Sequence, residues 1–175
     1  LRKTRRKATR MIDETTAKGK IIAAALKLAA TKAWRDIALI DIAEAADVRL
    51  SDLREHFTTR ADILRAFSAA IDDEVLKKAS KRPVDQAPRD AIFEVVMSRF
   101  DALEPYKAAL KSIVGAAEPD PALIRSMLMT QHWMLEAAGV GTSGPRGAVR
   151  TLGLASVYAS VFRTWLDDDD PGLAR

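Results

Sequence analysis

The sequence contains no cysteine, which excludes disulfide frameworks, thiolate nucleophiles and zinc sites built on sulfur. Histidine is almost as scarce. His56 and His132 are the only two among 175 residues, too few for a histidine-rich metal centre or a proton relay, so neither a metal nor a cofactor is expected. No apolar run approaches the roughly 18 residues that a membrane-crossing helix needs. No short apolar core with a small-residue cleavage site follows the basic start either, and the expected location is the cytoplasm. Period-two alternation, the mark of a half-buried strand, is missing as well.

What remains is 48% hydrophobic and 30% charged, enough to build one compact domain, or a small domain joined to a larger one, without covalent staples. The net charge of +4 is unevenly spread. Residues 1–20 carry eight Lys or Arg against Asp13 and Glu14, a local +6, so the rest of the chain is at −2. Six of those cations (Arg2, Lys3, Arg5, Arg6, Lys7, Arg10) fall within ten residues. Such an arm suits phosphate on nucleic acid or on lipid headgroups, and it also fits a merely solvated leader.

The seven prolines, at 83, 88, 105, 119, 121, 145 and 171, stand where periodic segments begin or end. Between them apolar residues recur at helical spacing. Ile22, Leu26, Ala29 and Ala33 form a first stripe over about residues 15–34, with shorter ones through Ile37, Ile40, Ala43 and Ala46 and through Leu50, Leu53 and Phe57. Ile63, Phe67, Ile71 and Val75 mark a long helix, and a polar break spans residues 80–88. Phe93, Val96, Met97, Phe100 and Leu103 line another helix that must stop before Pro105, and a further one runs to about Glu118. The segment after Pro121 is apolar almost all round, the pattern of a helix packed on several sides. A glycine-containing loop over residues 137–145 then leads to a last helix over 149–166. Eight helices and no sheet are predicted. Beyond them Asp167 to Asp170 with Pro171-Gly172-Leu173 reads as one helix ending and another, continuing past Arg175, beginning.

The carboxylate runs, Asp72-Asp73-Glu74 and Asp167 to Asp170, have no His or Cys beside them, and consecutive helical residues point in different directions. They read as solvated faces, and no enzyme activity is expected. Residues 37–57 carry more information. Two short helices meet at Ala46-Asp47-Val48, with bulky Ile42 beside small Ala43 and Ala46. Small side chains there permit the steep crossing of a helix-turn-helix, although alanines also occur where ordinary packed helices cross.

Ile22-Ala23-Ala24-Ala25-Leu26, then Ile37, Ile42-Ala43-Glu44-Ala45-Ala46, Val48, Leu53, His56-Phe57, Arg60, Asp62, Ile63 and Leu64 together resemble the TetR family over about residues 15–67. The resemblance implies an all-α fold: a basic arm (1–14), a three-helix helix-turn-helix unit (15–60), and a helical ligand-binding and dimerisation domain (61–175). It implies a homodimeric repressor on operator DNA. Arg49, Ser51, Arg54 and His56 are then the candidates to face DNA, with Arg60 and the arm on the backbone. Four positions depart from the family pattern: Asp47 for a turn glycine, Ala38 for a capping Thr, Arg49 for Ser and Arg54 for Tyr. Between Asp47 and Arg60 three acids (Asp47, Asp52, Glu55) cancel three arginines. A neutral recognition element attracts phosphate weakly and leaves that task to the arm.

From Arg89 onward, Arg99-Phe100-Asp101-Ala102-Leu103, Trp133, Ala138-Gly139, Ser143, Arg150, Leu154, Val157-Tyr158 and Asp168 to Pro171 look like the lipid-binding accessory proteins of ubiquinone biosynthesis. That likeness implies the same fold used differently, to present an isoprenoid intermediate to partner enzymes without binding DNA. Under either reading an apolar small molecule or lipid is expected among the last long helices. Met97, Phe100, Met127, Trp133, Met134, Tyr158 and Phe162 are candidate walls, and Gln131 and His132 the nearest polar groups.

Overall fold

Thr16 starts the first helix, α1 (Ala17–Ala29), by accepting a hydrogen bond from the Gly19 amide at 3.0 Å. Gly19 lies so close to the preceding turn that an added Cβ would sit 1.9 Å from the Asp13 carbonyl oxygen. The turn leading out of the arm is therefore pressed onto α1. In this computed structural model residues 12–79, 86–116 and 120–168 are described. Most of the arm, much of the polar break after α4, and the Asp-Pro-Gly-Leu segment lie outside the described residues.

A 3-10 turn over Trp34–Asp36 leads to α2 (Leu39–Ala45), α3 (Leu50–His56) and α4 (Arg60–Ala79). After the break come α5 (Pro88–Leu103), a 3-10 turn at Glu104–Tyr106 forced by Pro105, and α6 (Lys107–Gly115). Then follow α7 (Pro121–Ala137) and α8 (Gly144–Asp167). The described residues are all-α with eight α-helices, as the spacing predicted. Two details differ from expectation. The last helix starts at Gly144 because Pro145 fits a first helical turn. And α7 is not enclosed: it packs on α4, α5 and α8, while Ile124, Met127, Met129 and Trp133 remain exposed.

One apolar cluster joins the two ends of the chain. Ile21, Ile22 and Leu26 of α1, Ile42 of α2 and Leu53 of α3 belong to the same buried group as Phe100, Leu110, Ile113, Trp165 and Leu166. A smaller cluster holds Val75, Val95 and Met134. The stripe Ile63, Phe67, Ile71, Val75 on α4 contributes to both, which fixes how the three-helix unit is carried on the second half.

The α2–α3 turn has a left-handed residue that is not glycine. Asp47 adopts φ 53°, with its amide donating to the Glu44 carbonyl at 3.1 Å and the Val48 amide donating to the Ala43 carbonyl at 3.0 Å. These two bonds close the helix end in a Schellman motif. The end of α7 uses the same pair of bonds, Gly139 to Glu136 and Val140 to Leu135, both 2.9 Å, with glycine at φ 70°. Asp47 therefore bears a left-handed cost that Gly139 avoids. Replacing Asp47 by Gly is expected to stabilise the fold by about 0.5–1 kcal/mol after the added freedom of the unfolded chain is subtracted, raising Tm by about 1–4 °C. A thermal melt of the two proteins checks this; an unchanged or lower Tm would show that Asp47 is unstrained.

Candidate nucleic-acid interface

The unit formed by α1, α2 and α3 is held from beneath. Ile42, Ala43, Leu53 and Phe57 are buried, and α1 packs against both α2 and α3. Ala38 cannot cap α2 with its side chain, but half of a capping box survives, because its amide donates to Asp41 Oδ2 at 2.8 Å. At the start of α4, Thr58 and Thr59 amides donate to Asp62 Oδ2 at 3.1 and 2.7 Å, and Thr59 Oγ1 accepts from the Asp62 amide at 3.1 Å. That reciprocal cap ends the connection from α3.

With its inner face thus occupied, α3 presents Leu50, Ser51, Arg54, Glu55 and His56 to solvent. Arg49, just before the helix, has 82% of its side chain exposed. Its guanidinium is gripped by Asp52: Nε donates to Oδ2 at 3.0 Å and Nη2 to Oδ1 at 2.8 Å. These bonds and the adjacent positive charge hold the Asp52 carboxyl below its usual range. Four of the five expected DNA-facing residues, Arg49, Ser51, Arg54 and His56, thus share one exposed element.

Arg60 takes another position. One of its nitrogens donates to the carbonyls of Trp34 (2.5 Å) and Ile37 (2.8 Å), and its guanidinium lies 5.3 Å from the centroid of a Trp34 ring. The Trp34 amide in turn donates to Ser112 Oγ of α6 at 3.0 Å, and that hydroxyl donates to the Lys32 carbonyl at 3.2 Å. Arg60 and Ser112 together fasten the α1–α2 connection. An arginine in a DNA-binding pattern gives no sign in sequence that its donors turn inward.

In the second half, Phe100, Tyr158 and Phe162 meet as an aromatic cluster closed by Trp165: Phe100 stacks on Tyr158 at 5.2 Å and lies 5.4 Å from Trp165. Met134 is buried against Val75 and Val95, and Met97 is half-buried. Met127 and Trp133, 55% and 49% exposed, stand at the surface of α7. The seven candidate wall residues are therefore divided: Phe100, Tyr158 and Phe162 in the aromatic cluster, Met134 in the smaller apolar cluster, Met97 half-buried, and Met127 and Trp133 on an open helix face. Of the two polar candidates, Gln131 is buried and its amide oxygen has no partner among the described residues, and the half-buried His132 packs its ring against Trp133. An open cleft of about 560 Å³ lies elsewhere, between α1, the Asp47 turn and α6, with walls that include Ala23, Ala24, Ala45, Ala46, Ala108 and Ala109.

No local pattern of residues announces the polar group beside the aromatic cluster. Arg99, 8% exposed in its side chain, pairs with Asp72, and also donates to Tyr158 Oη and Ser68 Oγ, both at 3.1 Å. Thr130 Oγ1 completes the set by donating to Asp72 Oδ2 at 2.7 Å. The reading of Asp72 as part of a solvated run is thus corrected: desolvation pushes its carboxyl above the usual range despite Arg99 beside it. Four helices, α4, α5, α7 and α8, are tied through this one group.

No protein-family model matches the sequence. Over 138 residues, 75% of this chain and 68% of the relative, the sequence is 26% identical to the HTH-type transcriptional regulator CymR of Pseudomonas putida. A TetR transcriptional regulator from Nitrosomonas europaea ATCC 19718 superposes with a TM-score of 0.71 at 22% identity, covering 89% of this chain and 88% of that one. A second, from Rhodococcus sp. RHA1, gives 0.62 at 19% identity, covering 91% and 89%. The chain has the TetR-like fold.

Removing one member of a buried ion pair strands the other. Asp72→Ala or Arg99→Ala is expected to cost about 3–5 kcal/mol, and replacing both by apolar residues of similar size much less. Urea unfolding of the single and double variants measures this; single losses under about 1 kcal/mol would mean that water reaches the pair.

Proposed function

We propose that the chain is a DNA-binding transcriptional regulator of the TetR type, acting as a homodimeric repressor on operator DNA. The observation that carries this is the exposed α3, anchored in the core by Leu53 and by Phe57 just after it, while Arg49, Ser51, Arg54 and His56 face outward. The likeness to a named helix-turn-helix regulator supports it. In this reading residues 15–60 form the DNA-binding unit, 61–175 the ligand-binding and dimerisation domain, and the arm (1–14) supplies the phosphate contacts that the neutral α3 does not.

Engaging about four arm cations would give log K against log salt a slope near −3.6 per subunit, and a chain lacking residues 1–11 should lose most of it. Titration of selected and random duplexes at several salt concentrations measures both. Binding of selected duplex no tighter than random duplex would end the regulator reading and favour the lipid-presenting one. Control by an apolar ligand is assigned to the second half, where Met97, Phe100, Met134, Tyr158 and Phe162 are buried or half-buried and Met127 and Trp133 lie at the surface. Fatty acids and ubiquinone precursors added to the bound duplex should release it. Unchanged binding with every compound would count against this control.

Dimerisation is assigned to the outer face of α8. Val149, Leu152, Val157 and Val161 are exposed there at 46–70%, and an added Cβ on Gly153 would meet nothing within 4 Å. A mid-helix glycine costs about 1 kcal/mol relative to alanine. Nothing among the described residues requires it, whereas a partner helix approaching closely would. Such an interface should bury on the order of 1,600 Å². Gly153→Leu is expected to leave the helix content unchanged and convert the dimer to monomer by light scattering at micromolar concentration. A dimer that survives the substitution would place the interface elsewhere.

A further inference from the structure

The Arg49–Asp52 pair divides the guanidinium into two edges. Arginine carries five N–H donors. Asp52 accepts Nε–H and one of the Nη2 hydrogens, at 3.0 and 2.8 Å, so the Nη1 pair and the second Nη2 hydrogen remain. No other bond to the Nη1–Nη2 edge is made among the described residues, and that edge is the one that matches the O6 and N7 acceptors of guanine in the major groove.

Two further features bear on what that edge meets. Asp52 is set back, 31% exposed against 82% for Arg49, and is held from the side by Ser51 Oγ, which donates to Oδ1 at 3.2 Å. The carboxylate thus stands behind the guanidinium. A pair carrying both signs also gains little from phosphate, where attraction follows net charge, and Glu55 adds a further negative charge on the same helix. The donors of Arg49 keep their direction while its charge is cancelled. That combination suits the neutral edge of a base better than the anionic backbone.

Resting on the regulator reading above, we propose that Asp52 is a positioning residue for sequence recognition: it locks Arg49 so that the Nη1–Nη2 edge reads a guanine in the major groove, and it disfavours unspecific phosphate contact by α3. Asp52 touches no base in this arrangement. Its effect on specificity passes through Arg49.

The experiment uses the full chain. Duplexes are selected from a random pool with the unsubstituted protein, and each consensus position is then replaced singly. Affinities are measured for the original chain, Asp52→Asn, Arg49→Lys and the double variant. An exposed ion pair contributes little to folding, so all four should have the same helical signal; Asp52→Ser replaces Asp52→Asn if that variant does not. One guanine in each half-site should be preferred by about ten-fold or more over other bases, within the range of a bidentate contact. Arg49→Lys should abolish that preference. Asp52→Asn should lower it at least about five-fold and raise affinity for random duplex, and in the Arg49→Lys background it should change the preference no further. An undiminished guanine preference in Asp52→Asn overturns the proposal, as does a loss at a position that Arg49→Lys leaves intact. These two outcomes leave the regulator reading standing, whereas failure of the unsubstituted chain to select any duplex removes both.

Discussion

A single stripe on α4, Ile63, Phe67, Ile71 and Val75, has to fit two clusters at once, and this double fit constrains the rest of the molecule. Its first three residues belong to the cluster that supports α1, α2 and α3, and its last belongs with Val95 and Met134. An α-helix of 20 residues spans about 30 Å as a stiff rod, so the three-helix unit cannot tilt without disturbing packing at the far end. The α1–α6 contact and the Ser112 hydroxyl hold the same junction from another side.

Where the two clusters on α4 meet, the interior is polar. Asp72 follows Ile71 directly, and its partner Arg99 precedes Phe100 on α5, so the ion pair lies beside the aromatic cluster. Charges in such a place cost desolvation energy that only good geometry offsets. Here the carboxylate receives Arg99 and Thr130, and the guanidinium reaches Asp72, Ser68 and Tyr158. Directional bonds to four helices specify one register among the many that apolar packing alone would tolerate.

The helices were legible because apolar spacing and proline placement are local properties. The strained turn was marked only by the resemblance, in which Asp47 stands in place of a turn glycine, and its φ is indeed positive. Contacts between distant residues left no such trace. Asp72 sits in an acidic run that looks solvated, and its partner lies 27 residues away on another helix. Arg60 appears in a DNA-binding pattern, yet its guanidinium bonds to the carbonyls of Trp34 and Ile37. Residues on α7 illustrate the converse. Met127 and Trp133 look like core residues by composition, but helical periodicity cannot tell a face covered by the same chain from one left exposed.

The three tryptophans occupy three separate environments. Trp34 is buried where the three-helix unit meets α6, with Arg60 over its ring. Trp165 is buried at the end of α8, where its indole donates to Glu104 and Lys107 lies over the ring. Trp133 is half-exposed on α7. The intrinsic fluorescence of the chain is therefore a sum of one emitter open to aqueous quenchers and two shielded ones with cationic neighbours. The shielded pair marks the two ends of the same apolar cluster, so the native protein carries optical probes for each half without any label.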